Sequence, residues 1–212
     1  MIQQRLLKNA KLEKTLLDKL PEQFRDDFQK KFGNNNSYWQ TISEARAIIV
    51  FNNLGIPVKE IDAKTIKDKN VDFLAVFDNE KIYTEVKGFV PEDYEIAKNG
   101  NILGADDKKI IRALDRAQPK FLNSSCNILI IADEDTIKLP LFMDPLVDLQ
   151  KTPEIYLNSY DYIKTSAIMI LGGLYDNQLF KFKIWYNANP QKSLSQSVMN
   201  IFNKEKANFI DV

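Results

Sequence analysis

The 212-residue chain predicts an α/β domain, with a central mixed β-sheet flanked by helices. Three observations carry that expectation. Helical and extended patterns alternate along the chain instead of segregating into separate halves. The run "NILIIAD" (127–133) is apolar on both faces, as a strand covered from both sides must be. Hydrophobic residues make up 44% and charged residues 27%, which leaves enough apolar material for a core.

Residues 1 to about 31 carry Leu6, Leu7, Leu16, Leu17, Leu20, Phe24 and Phe28 at helical intervals, predicting one or two amphipathic helices. We treat 1–33 as an N-terminal helical extension and 34–212 as the main domain. "GNNNS" (33–37) breaks the pattern and can cap a helix from Tyr38 to Leu54, which Gly55 and Pro57 close. "IPVKEID" reads as a short strand; "VDFLAVF" and "KIYTEVKG" read as two more around the turn-like "DNE". The Gly-, Asn- and acid-rich stretch at 89–106 reads as a loop able to close over a substrate. Asp106 to Leu122 is expected to be helical, bent or ended by Pro119. After "NILIIAD", residues 139–163 mix short helix and loop. "TSAIMILGGLY" and "QLFKFKIWY" predict a hairpin across Asp176 and Asn177, followed by a polar helix from Ser193.

Composition excludes several chemistries. The chain has no histidine, which removes Ser-His-Asp and Cys-His catalysis and histidine-ligated zinc. Cys126 is the single cysteine, so no internal disulfide forms; it fits a reducing cytoplasm and reads as a small buried thiol. The formal net charge is +0, so no overall basic field advertises a polyanion, although binding depends on where charges sit. The N-terminus alternates apolar and charged residues, unlike a signal peptide, and no apolar run reaches membrane-spanning length. "LGG" (171–173) lacks the rest of a phosphate loop, so no nucleotide cofactor is expected. Tyr38 and Trp39 could stack on bases, but aromatics at a helix start are more often packing anchors.

The chemistry gathers around "YTEVKGF" (83–89). Strand alternation puts Tyr83, Glu85 and Lys87 on one face. A two-residue turn at Asn79–Glu80 would pair Asp78 with Lys81, Leu74 with Glu85, and Asp72 with Lys87. Asp72, Glu85 and Lys87 then share a patch. On the preceding helix, Glu44 has Ala47, Ile48 and Phe51 as neighbours, so its carboxylate faces the protein body and needs a partner or a cation. Carboxylates so gathered form a hard-oxygen site suited to Mg²⁺ or Mn²⁺. Such an ion can orient a water and stabilise charge on a phosphate oxygen, with a lysine beside it.

Glutamate on a helix, aspartate on a strand and E-x-K on the next strand resembles the PD-(D/E)xK nuclease superfamily. That is the fold of many restriction endonucleases and DNA repair nucleases. The pattern stands here as Glu44, Asp72 and Glu85-Val86-Lys87, within residues 37–135. The resemblance implies a restriction endonuclease-like core, with Asp72, Glu85 and the Val86 carbonyl on the metal. Lys87 would be the catalytic lysine, and Glu44 would support the metal directly or through water. The proline that names the motif is absent; Asn70 and Val71 precede Asp72. The family often places a polar residue on the next helix, and Gln118 is the best match. Lys108, Lys109, Arg112 and Arg116 lie opposite that helix's core stripe of Ile110, Ala113, Leu114, Ala117 and Phe121, and could hold a phosphate backbone. A solvated face is the alternative.

The expectation is a cytoplasmic, metal-dependent nuclease acting on DNA ahead of RNA, with a homodimer left open. Two alternatives stand beside it. One is a nuclease-fold protein that binds nucleic acid or assembles a complex without catalysis. The other is a structural ion-pair cluster in an unrelated α/β fold.

Overall fold

The structure, a computed structural model, describes residues 10–59, 71–89, 107–133, 162–174, 179–205 and 210–211. Helices α1 (Ala10–Lys19), α2 (Glu22–Phe32) and α3 (Tyr38–Asn53) come first, then strand β1 (Val58–Lys59). Strands β2 (Phe73–Phe77) and β3 (Glu80–Phe89), helix α4 (Asp107–Ala117) and strand β4 (Cys126–Asp133) follow. Strands β5 (Ala167–Leu174) and β6 (Leu179–Tyr186), helix α5 (Gln196–Glu205) and strand β7 (Ile210–Asp211) complete the described elements. The strands form one mixed sheet in chain order. β3, β4 and β5 run parallel, while the remaining neighbours pair antiparallel. The expected α/β class, with helices on both faces of a mixed sheet, is what folds.

Two apolar clusters fill the two faces. On one, Leu16 of α1, Leu20 just after it, and Phe24 and Phe28 of α2 join α3 and Phe202 of α5 against Phe73, Val86, Ile130 and Met169. On the other, Leu114, Ala117 and Phe121 cover Leu129, Ile131, Ile168 and Ile170. β4 is the buried middle strand that its two-sided apolar run required. Helix α3 is buried almost all round, not on one stripe. Tyr38 is buried among Phe32 and Trp39 rings, so it is a packing anchor.

Several expectations shift. α4 ends at Ala117, five residues before the expected limit, because Pro119 has no amide hydrogen to continue the ladder. The β2–β3 turn is Asp78–Asn79, both with positive φ (46° and 64°), the conformation of a tight hairpin turn whose twist matches the strands. The register therefore slips by two residues from the expected one: Leu74 pairs with Tyr83 and Phe73 with Thr84. One step further along this ladder, Asp72 falls opposite Glu85, not Lys87. A slip of two preserves the face of every side chain, so the shared patch survives its wrong register. The hairpin at 167–186 forms as expected, while its tip, the 90–106 loop and the 139–161 segment lie outside the described residues.

Candidate active site

The site forms where β3 outruns β2. The β2–β3 ladder reaches Phe73↔Thr84, whereas β3 continues beside β4 as far as Phe89. Beyond Thr84 the β2-facing backbone of β3 would be left bare, and side chains complete it. The Val86 N–H donates to Asp72 Oδ2 at 2.6 Å. Gln40 of α3 donates through Nε2 to the Val86 carbonyl at 2.9 Å, and its Oε1 accepts from the Gly88 N–H at 2.9 Å. Gln40 Nε2 also reaches Glu44 Oε1 at 3.0 Å. Groups on both sides of the sheet thus meet at one open edge.

Gly88 permits this approach. A Cβ added there would collide with the Ser43 hydroxyl and lie 3.1 Å from Ser43 Cβ. A bare α-carbon lets α3 come close enough for the Gln40 amide to read the β3 edge.

Glu85 projects to the opposite face from Val86 and has 0% exposure. Its Oε1 accepts from both Lys87 Nζ and Lys120 Nζ, the latter at 2.6 Å. Its Oε2 is buried with no hydrogen-bond partner among the described residues. Lys87 and Lys120 keep side-chain exposures of 23% and 35%, so both side chains are partly open to solvent. Glu44 carries Lys31 of α2 at 3.7 Å on its Oε2.

The electrostatics follow from this crowding. Burial raises the Asp72 pKa to about 7, with the charges of Glu85 and Glu44 adding to it against the Val86 N–H and Lys120. Burial also raises the Glu44 pKa, which Gln40 and Lys31 oppose. For Lys120, burial disfavours the ammonium, but the hydrogen bond and charge of Glu85 outweigh it and the pKa is raised.

The expected residues distribute unevenly. Glu44, Asp72, Glu85, Val86 and Lys87 come together. Gln118 turns away and donates to the Thr165 hydroxyl, tying α4 to the start of β5. Arg112 and Arg116 are exposed on α4, while the side chains of Lys108 and Lys109 lie outside the described residues. Sequence reasoning missed Gln40, Lys31 and Lys120. For Gln40 a signal existed: it sits one helical turn before Glu44 on the same face. Lys31 and Lys120 arrive from other elements and carried none.

The donor set fits a hard divalent cation in its chemistry: carboxylate oxygens with one buried atom unpartnered, and Asp72 pushed toward neutrality by burial and then by Glu85 and Glu44. Among the described residues, no group of three or more Asp, Glu or Cys side chains stands close enough to hold one. No described helix is long and apolar enough to cross a membrane. Comparison with protein-family models and with curated proteins finds no match.

Proposed function

We propose that the chain is a metal-dependent nuclease that hydrolyses phosphodiester bonds, with DNA favoured over RNA. The observation that carries this reading is the convergence of Glu44, Asp72 and Glu85 beside Lys87, with Asp72 raised to about 7 by burial and by the other two carboxylates. The helix–strand–strand order in which Glu44, Asp72 and Glu85-Val86-Lys87 follow one another also supports it.

In this reading Asp72 and Glu85 hold Mg²⁺ or Mn²⁺. Glu44 supports it, and the Val86 carbonyl offers the lone pair that Gln40 leaves free. The bound ion would supply Lewis acidity toward a phosphate oxygen and a water of lowered pKa. The protein's own groups do the rest. The Val86 N–H fixes Asp72, Gln40 fixes Glu44, and the Lys87 ammonium stands ready to hydrogen-bond the attacking water or the phosphate. Hydrolysis adds water to phosphorus and breaks one P–O bond, the leaving oxygen ending protonated.

With Mg²⁺ or Mn²⁺, the purified protein is expected to cut plasmid or oligonucleotide. Asp72→Asn and Lys87→Ala should each lower the rate on the order of a hundredfold or more. Calorimetric Mn²⁺ binding should disappear in Glu85→Gln. Equal cleavage by wild type and both variants would remove the catalytic assignment.

A structural charge cluster is the second reading, favoured by two lysines sharing one oxygen of Glu85. It differs in one measurable respect. A cluster kept for stability is weakened by Asp72→Asn, whereas a site kept for a cation is relieved by it when no cation is present.

A further inference from the structure

Lys120 extends a cationic row that leads into the site. Arg112 and Arg116 lie four residues apart on α4, one turn above the other and roughly 6 Å apart, and Lys120 follows in the turn that closes the helix. The outer members of the row, Arg112 and Arg116, are exposed; its inner member ends 2.6 Å from the buried carboxylate of Glu85. The nearby acid on this helix is turned elsewhere, since Asp115 Oδ1 accepts the Tyr162 hydroxyl at 2.8 Å. α4 ends at Ala117, ahead of Pro119, so the chain turns there and the Lys120 ammonium reaches Glu85 on β3.

We propose that Lys120 is a second phosphate-binding cation of the site, and that Arg116 and Arg112 continue the contact along the substrate's backbone on the α4 side. The inference rests on the nuclease reading and deepens it: the substrate is a strand spanning several phosphates, not a single phosphate ester. Lys87 and Lys120 sit on the same Glu85 oxygen, and both side chains are partly exposed. Two ammonium groups side by side repel each other, and a phosphate bridging them removes that repulsion while Glu85 holds their stems in place. Arg112 and Arg116 supply planar donors suited to phosphate oxygens.

The test is salt-dependent binding of a fluorescein-labelled oligonucleotide, single-stranded and duplex, in EDTA and again with Ca²⁺. Each phosphate neutralised steepens the fall of affinity with salt by about one unit of log–log slope. Lys120→Ala should weaken binding about tenfold at moderate salt and flatten the slope by about one; Arg112→Ala/Arg116→Ala should flatten it by about two. Lys120→Arg should restore the wild-type slope. A purely structural lysine would lower thermal stability in Lys120→Ala and leave the slope unchanged, and that result overturns the inference. If the wild type cuts nucleic acid while Lys120→Ala keeps the wild-type slope, only this inference falls. If the wild type neither cuts nor binds, the nuclease reading falls and takes this with it.

Discussion

Asp72 imposes a pH-dependent cost on the stability of the folded chain. Its carboxyl titrates near 7 in the folded protein, against an ordinary value of 3.8, chiefly through burial and then through Glu85 and Glu44. Between those values the folded chain keeps a proton that the unfolded chain releases. The stabilising contribution is therefore complete below about pH 4 and is lost as pH rises through about 7. Metal-free protein should melt at progressively lower temperature from pH 5 to pH 8. Asp72→Asn should remove on the order of 2 kcal/mol of that dependence. Thermal melts of both proteins across this range, with and without Mg²⁺, give the check. Mg²⁺ should raise the wild-type melting temperature at pH 8 and move the variant much less. A variant less stable than wild type at pH 8 without metal would instead favour the structural cluster.

The decisive element is the end of β3, whose last residues have β4 alone as a strand partner among the described residues. A bare strand edge needs its hydrogen bonds met, and here Asp72 and Gln40 meet them while holding the site's acids. Gly88 sets the distance between that edge and α3. Gly88→Ala should cost about 1–3 kcal/mol through overpacking against Ser43, and pairing it with Ser43→Ala should recover part of the loss. Denaturant unfolding of the three variants measures this, and full stability in Gly88→Ala would show that α3 is not held this close. At the other end of the strand, Glu80 accepts from the Ser195 hydroxyl at 2.6 Å and from its N–H, while Ser195 caps α5. One strand therefore anchors the C-terminal helix at its start and the candidate site at its finish.

Across the whole molecule, the N-terminal helices are part of the main core. Leu12, Leu16, Leu20, Phe24, Phe28 and Phe32 are buried in the same cluster as α3, and Lys31 reaches the site itself. Phe28→Ala should destabilise by about 3–5 kcal/mol, as for any large buried ring. Urea unfolding measures it, and a loss below 1 kcal/mol would mark α1 and α2 as a loosely attached appendage.

Period was determined by the sequence alone. Side chains alternate with period two, so any turn of even length puts Asp72, Glu85 and Lys87 on one side of their hairpin. The turn mistaken by one residue slipped the register by two and left that face unchanged, where a three-residue turn would have broken it. The two-sided apolar run of 127–133 likewise had to be an interior strand. Tertiary structure decided which groups from other elements reach the open edge of β3. Lys120 lies 35 residues from Glu85 and Lys31 lies 13 before Glu44. No local pattern encodes such distances, because they depend on how helices pack across the sheet. Gln118 and Lys120 are two residues apart on one turn, and only the packing of α4 against β5 turned the glutamine to Thr165 and left the lysine to Glu85.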